Sequence, residues 1–365
     1  MNLLKIGIIG CGGIATAKHL PALSKIKEIE IVAFCDIKVE KAKSAAATFG
    51  STGARVYDNY QELLKNEKLD VLHVCTPNRS HSEISVAGME AGCHVMCEKP
   101  MAINEAEAKK MVDAAIRTGK KLTIGYQSRY RADSQYLKAE CEQGELGDIY
   151  FAKAHAVRRR AVPTWGVFLN EYEQGGGSLV DIGTHALDLT LWTMNNYKPK
   201  YCVGTTFHKL NDHQGNSGNA WGNWDVSKFT VEDSAFGYIV MENGAVIILE
   251  SSWALNTLDV NEAVCTLCGT KAGADFGDGL RFNGVKNNRQ YITKPSFASG
   301  GVAFNEGEDG DKDFHIEARQ WIKSIINDTD PCVLPQQAYI VSAILDGIYQ
   351  SAKTGMPFYF KQATT

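Results

Sequence analysis

Ile6-Gly7-Ile8-Ile9-Gly10-Cys11-Gly12-Gly13-Ile14-Ala15 sets a G-x-G-x-x-A pattern directly after an apolar, strand-like run and ahead of a helix-like one. That order is what a pyrophosphate-binding turn requires. Gly10 permits the tight turn, Gly12 lets the backbone approach a phosphate, and the small Ala15 lets helix and strand pack closely. Gly13 and Ile14 open a helix whose free N–H groups and positive dipole end suit an anion. An acidic residue is expected about 20 positions further on, at the end of the second strand, to accept hydrogen bonds from an adenosine ribose. Asp36 stands there. A carboxylate at that place repels a ribose 2′-phosphate, so NAD is favoured over NADP, and Lys38 nearby softens the preference.

Outward from this turn, β-rich runs alternate with helical stretches, the signature of a parallel sheet with crossover helices. The strands are expected at Leu3–Ile9, Ile29–Cys35, Arg55–Tyr57, Val71–Cys75, His94–Cys97 and Leu122–Tyr126. A helix is expected to open at Asn104, which caps it, with Glu107 three residues on. Residues 1–126 therefore read as an α/β nucleotide-binding domain. After Tyr126 the rhythm changes. Strand-like runs Ile149–Arg158, Lys200–Lys209, Val231–Met241, Ala245–Trp253, Glu262–Leu267 and Ala272–Phe276 follow one another with few helices between. Helices are expected at Asp133–Gln143, Leu179–Met194, Phe314–Asn327 and Gln336–Lys353, and loops at Ala161–Gly177, Asn211–Trp224 and Ser296–Asp311. Residues 127–365 thus read as an α+β domain with a large, mostly antiparallel, open-faced sheet.

Length and composition agree. The chain has 365 residues, enough for two domains, and its 44% apolar and 22% charged residues exclude disorder, collagen and coiled coil. With 38 Lys and Arg against 42 Asp and Glu, and Arg158-Arg159-Arg160 as the basic run that stands out, neither nucleic acid nor an anionic membrane surface is an expected partner. No apolar run approaches the roughly 18 residues of a membrane span, and no secretion signal opens the chain, so the cytoplasm is the expected address. Ten Cys are scattered without a disulfide-framework spacing, as in a reducing compartment. Cys265-Thr266-Leu267-Cys268 lies in an alternating strand with no second pair, so it reads as packing rather than a metal or redox site.

Three further stretches bring a resemblance. They are Cys75-Thr76-Pro77-Asn78-Arg79-Ser80-His81, Cys97-Glu98-Lys99-Pro100, and Gly175-Gly176-Gly177-Ser178-Leu179-Val180-Asp181-Ile182-Gly183-Thr184-His185-Ala186-Leu187-Asp188. With the Gly-rich turn, their order and spacing make the chain resemble the glucose–fructose oxidoreductase/inositol dehydrogenase/rhizopine-catabolism (Gfo/Idh/MocA) oxidoreductase family over nearly its whole length. The resemblance implies an N-terminal Rossmann domain and a C-terminal sheet whose open face packs on another subunit, hence a homodimer or homotetramer. It places Thr76, Pro77 and Asn78 along the cofactor, Glu98 and Lys99 at its nicotinamide end, and Gln127 in a cofactor- or substrate-contacting position. It also implies a catalytic set of Lys99, Asp181 and His185.

The chemistry of these residues agrees with that set. A dehydrogenase removes a hydroxyl proton as hydride leaves the same carbon, and imidazole, with an ordinary pKa of about 6.5, suits the base. His185 takes that role. Asp181, four residues earlier on a helix, shares its face and can bind substrate or orient His185, with Asp188 on the adjoining turn. Lys99, extended before proline at the sheet's carboxyl edge, can favour a developing alkoxide. The bland alternatives are a solvated loop lysine, a core or capping histidine and an N-terminal helix acid.

Other candidates are His81, as helix cap or cofactor contact; Arg129 and Tyr130, as pocket lining; Trp165, covering the nicotinamide or a sugar face; and Arg158, as a substrate contact. Strand alternation would turn Arg159 away from Arg158 and Arg160. His155, His208, His213 and His315 show no metal-ligand spacing, and no metal is expected. The expected function is NAD-dependent oxidation of a secondary hydroxyl of a sugar, glycoside or cyclic polyol to a ketone. The alternatives are an NAD-dependent glycosidase working by transient ring oxidation and a non-catalytic dinucleotide-binding regulator.

Overall fold

In a computed structural model the described residues are 3–210, 218–297 and 311–361, so parts of two expected loops, 211–217 and 298–310, lie outside them. The N-terminal strands are β1 Leu4–Ile9, β2 Ile29–Cys35, β3 Arg55–Tyr57, β4 Val71–Val74, β5 His94–Cys97 and β6 Leu122–Ile124. They form one parallel sheet in the order β3-β2-β1-β4-β5-β6. The order reverses between β1 and β4, which is where open α/β sheets leave a crevice at their carboxyl ends. Gly10 closes that end of β1, donating its N–H to Cys35 O at 2.8 Å. Asn104 caps helix Glu105–Thr118 as expected, accepting the Glu107 N–H at 2.9 Å.

Apolar side chains on both faces of β1 and its neighbours are buried, among them Ile6, Ile8, Phe34 and Val71. Trp321 and Ile322, from helix Asp313–Ile326, belong to that same core cluster. This changes the expected division of the chain. The first compact unit takes the described residues of 1–130 and of 303–339, and the second takes those of 131–302 and 340–365. The boundary after Tyr126 thus falls a few residues early. A late helix also returns to the first unit, because its apolar face completes the core that the parallel sheet begins.

The second unit is built on a nine-stranded sheet. Its strands are β7 Ile149–Val157, β8 Pro199–Phe207, β9 Ser234–Met241, β10 Val246–Ser252, β11 Glu262–Gly269, β12 Ala272–Asp275, β13 Arg281–Lys286, β14 Arg289–Thr293 and β15 Phe358–Tyr359, in the order β14-β13-β12-β11-β7-β10-β9-β8-β15. The pairing is antiparallel except between β7 and β10. Helix Thr184–Met194 is almost wholly buried and packs on β7 and β11. Gly204 and Gly237 let Ile348 approach the sheet, since a Cβ at either would come within 2.6 Å of its side chain.

Strands β13 and β14 escape the apolar pattern because most of their side chains are exposed. Their signal is the turn Asn287-Asn288, with φ of 53° and 60°, a tight hairpin connection. No helix among the described residues is long and apolar enough to cross a membrane.

The two turn glycines differ in kind. Gly10 has φ 89°, and a Cβ there would lie 2.6 Å from the Cys75 backbone, whereas nothing stands within 4 Å of a Cβ at Gly12. Gly10→Ala is expected to cost about 1–3 kcal/mol of stability, and Gly12→Ala to stay within about 0.5 kcal/mol. Urea unfolding of both variants checks this. Equal losses would show that the Gly10 contact does not set the turn.

Candidate active site

At the carboxyl end of β1 the structure provides an open cradle. Cβ atoms at Gly12 and Gly13 would meet no heavy atom within 4 Å, and Ile14 beside them is exposed. Asp36 is held by two backbone donors, Cys11 N–H to Oδ2 at 2.9 Å and Lys38 N–H to Oδ1 at 2.8 Å, so the carboxylate stands at the rim in a fixed orientation. Thr76 abuts Gly10, and its buried Oγ1 finds no hydrogen-bond partner among the described residues. Pro77 is exposed and precedes the 3₁₀ turn Asn78–Ser80. Open backbone, an oriented carboxylate and an unused hydroxyl fit a dinucleotide. His81 is committed elsewhere. Its ring nitrogens face Pro100 O at 2.8 Å and Thr76 O at 2.9 Å, so it ties two loops together rather than presenting a nitrogen to a ligand.

Beside the cradle, Glu98 is buried in a charged cluster. Lys18 Nζ lies 2.9 Å from both Glu98 Oε1 and Glu317 Oε2. His19 Nε2 reaches Glu98 Oε1 at 2.7 Å, and its Nδ1 lies 3.0 Å from His73 Nδ1. Burial alone would raise the Glu98 pKa, but Lys18 and His19 hold it well below the carboxylate range. Burial lowers the pKa of both imidazoles, which favours their neutral forms. A neutral His19 that donates to Glu98 must then accept from His73. Glu317 is pushed up to about 7 by burial, against Lys18 and with the Glu98 charge adding to the rise. Glu98 Oε2 accepts the Lys99 N–H at 3.1 Å, which fixes the backbone from which Lys99 projects. Glu98 is thus tied to the main chain at Lys99.

Two pocket candidates prove to be internal. Arg129 is fully buried and donates to Cys332 O at 3.0 Å and Gln337 Oε1 at 2.6 Å. Tyr130 is buried too, its hydroxyl pKa raised by burial first and then by Cys332 and Glu317, so it belongs to the packing of the first unit rather than to a substrate surface. Gln127 is half-buried at the start of the turn Gln127–Tyr130.

In the second unit, Asp181 sits in a π-helical turn, Leu179–Gly183, that runs into helix Thr184–Met194. Such turns are rare and recur at functional sites. Four residues are close to one revolution, so Asp181 and the half-buried His185 leave the same side of the helix start. Asp188 on the next turn is fully buried. Trp253 Nε1 donates to Asp181 Oδ2 at 2.9 Å, and Arg158 Nη1 stands 3.9 Å from the same oxygen. β7 ends at Val157, so strand alternation does not govern the three arginines. Arg158 donates through Nε and Nη2 to both oxygens of Glu262, at 2.6 and 2.5 Å. Its guanidinium also lies 5.3 Å from the Trp221 ring centroid. Trp165 is half exposed and packs edge-on against Trp221, with ring centroids 4.9 Å apart.

The helix start is anchored from below by Glu232. Its carboxylate accepts the Gly177 N–H at 2.7 Å, the Leu179 N–H at 2.9 Å and the Tyr349 hydroxyl at 3.0 Å. Gly177 must be glycine, since a Cβ would lie 1.9 Å from Glu232 O. Sequence reasoning missed Glu232, Trp253, Trp221 and the Lys18–His19–His73–Glu317 cluster. The usable signal was the acid pair Glu232-Asp233 between Val231 and the strand-like run Ser234–Met241, because carboxylates drawn into an apolar stretch need donors.

Comparison with known proteins places the chain in a family. A family profile described as "Oxidoreductase family, NAD-binding Rossmann fold" matches residues 4–126, and a GFO/IDH/MocA C-terminal domain profile matches residues 134–275. The chain is 35% identical over 356 residues to the D-glucoside 3-dehydrogenase of Escherichia coli K12, covering 96% of each. It is 39% identical over 190 residues to the glucose-6-phosphate 3-dehydrogenase of Bacillus subtilis 168, covering 51% of this chain and 52% of that one. The WlbA dehydrogenase of Bordetella pertussis, solved with NADH and UDP-GlcNAcA, shares the fold with a TM-score of 0.77 at 20% identity and full coverage of both chains.

Burial pushes the Glu232 pKa from 4.5 up to about 7, against the pull of the Leu179, Gly177 and Tyr349 donors. A carboxyl group raised on folding adds stability that is full below its unfolded pKa and lost as pH rises through its folded one. Glu232→Gln does not titrate. Wild-type stability, taken relative to that variant, should therefore fall between pH 4.5 and about 7 and stay level above. Thermal unfolding of both proteins at about pH 5 and about pH 8 measures it. A difference that ignores pH would mean that Glu232 folds ionised.

Proposed function

Because this chain belongs to the Gfo/Idh/MocA family of NAD-binding oxidoreductases, we propose that it oxidises a secondary ring hydroxyl of a neutral sugar, glycoside or cyclic polyol to a ketone, with NAD as acceptor. The observation that carries this reading is the anchored helix start from which Asp181, held by Trp253, and His185 leave on one side. NAD when bound supplies the acceptor for the hydride of the carbinol carbon. Gly10, Gly12, Gly13 and Ile14 would hold its pyrophosphate, Asp36 its adenosine ribose, and Thr76, Pro77 and Asn78 its length, with Gln127 and Lys99 toward the nicotinamide.

His185 removes the hydroxyl proton as the C–H bond breaks, and Lys99 donates a hydrogen bond to the oxygen as it becomes a carbonyl. Asp181 takes a neighbouring hydroxyl or steadies His185, and the indole of Trp165 suits the apolar face of a sugar ring. Arg158 supports a neutral substrate. Its charge is matched by Glu262 and Asp181, which raise its pKa against burial, so this cation beside Asp181 is already engaged. Val203 and Tyr238, paired across β8 and β9, are exposed on the face of the sheet away from the helices, which supports a homodimer or homotetramer closed by a second copy.

A panel of free sugars, glycosides, inositols and sugar phosphates, followed as NADH formation, tests the reading. Neutral ring polyols should react and phosphorylated ones should react poorly. Aglycone release without net NADH would shift the reaction to the glycosidase alternative. His185→Ala should lower kcat by about 10²-fold or more with NAD affinity unchanged. Near-normal turnover would remove His185 from the mechanism.

Asp36→Ala should lower the preference for NAD over NADP, because it removes both the ribose acceptor and the charge that repels a 2′-phosphate. Fluorescence titration of each cofactor against wild type and variant reads the ratio. An unchanged ratio would take the ribose contact away from Asp36.

A further inference from the structure

Trp165 and Trp221 are exposed by 50% and 42%, an unusual state for two indoles in contact. They meet at 90°, with centroids 4.9 Å apart, and Phe168 packs edge-on against Trp165 at 5.7 Å. The two loops that carry them are zipped together. Asn219 Oδ1 accepts the Val162 N–H at 2.8 Å, and its Nδ2 donates to Val162 O at 3.1 Å. Ala220 N–H donates to Arg160 O at 3.0 Å, and Thr164 Oγ1 donates to Trp221 O at 2.7 Å. The corner is therefore prepared in advance, and a ligand meets it at little ordering cost.

Arg158 joins this corner to the site already described. Its guanidinium lies over Trp221, with Glu262 fixing its plane and Asp181 3.9 Å from Nη1. Asp181 and Trp221 thus flank one guanidinium, so a substituent on a ring seated at Asp181 has only that group to pass before it meets Trp221. An L-shaped pair of indoles stacks a flat group on one ring and meets its edge with the other. One indole is enough for the apolar face of a sugar ring, and the second offers surface to a flat apolar substituent beside it.

We propose that Trp165 and Trp221 form an aglycone subsite, which takes a flat, largely apolar group carried on the glycosidic oxygen of the sugar being oxidised. This rests on the reading that a ring hydroxyl is oxidised beside Asp181. It makes the chain a dehydrogenase of glycosides with apolar aglycones, in preference to free sugars or inositols.

The test compares phenyl and methyl glycosides of one sugar. Wild type should show a higher kcat/KM for the phenyl glycoside, and in Trp221→Ala the phenyl-to-methyl ratio should fall about tenfold, the loss of one aromatic contact with its buried area. Trp221→Phe, which keeps a ring, should restore much of the ratio and covers the case in which the alanine variant folds poorly. Calorimetric titration with the phenyl glycoside gives a readout independent of turnover, with weaker binding expected in Trp221→Ala. If wild type oxidises no sugar or glycoside, the functional reading fails, and binding that depends on Trp221 still upholds the subsite. A wild-type ratio near one, a ratio that Trp221→Ala leaves unmoved, or phenyl glycoside binding unaffected by it overturns the subsite. An unmoved ratio together with a smaller particle by light scattering would assign the corner to a contact between copies.

Discussion

The carboxylate of Glu232 has been taken out of water to meet the Gly177 and Leu179 N–H groups and the Tyr349 hydroxyl, and the direction of the Asp181–His185 helix start depends on that one capture. The first turn of a helix has N–H groups with no partner inside the helix, and a buried helix start without acceptors is costly. Glu232 supplies the acceptor from the loop before β9, and Asp233 beside it accepts the Trp253 N–H through its carbonyl at 3.0 Å. Trp253 in turn donates its indole N–H to Asp181. Two consecutive acids thus set both the backbone of the helix start and the partner of its carboxylate. Gly177 is the corollary, because only a residue without a Cβ allows the approach.

The first unit uses the same device with different parts. Glu98 is buried against Lys18 and His19 and spends its second oxygen on the Lys99 N–H. Burying such a cluster is expensive, and removing one partner of a buried pair typically costs about 3–5 kcal/mol. The return is position. In both units a buried carboxylate fixes the main chain beside a side chain proposed to act on the substrate, Lys99 in one and Asp181 in the other.

The electrostatics of the second unit also shape what it can accept. Arg158 lies between two carboxylates and against an indole, so its charge is matched and its contacts link Asp181 to Trp221. A site of matched charges, indole faces and hydrogen-bonding groups suits a ring that is polar at its edge and apolar on its faces.

The sequence by itself determined what depends on neighbours along the chain. The Gly10–Ala15 turn, the acid at Asp36, the Asn104 cap and the change from alternating helix and strand to successive strands are local in steric and periodic terms, and the structure holds each of them. The helix spacing of Asp181 and His185 was legible for the same reason. Only the tertiary structure decided the rest. Glu232 meets Gly177 across 55 positions and Trp253 meets Asp181 across 72, contacts that exist once β9 and β10 are paired. Arg129 and Tyr130 look like pocket residues beside Gln127, yet they turn inward because a helix from beyond residue 311 returns to cover them. Side-chain direction at such positions is set by which distant element packs there, and no local pattern encodes it.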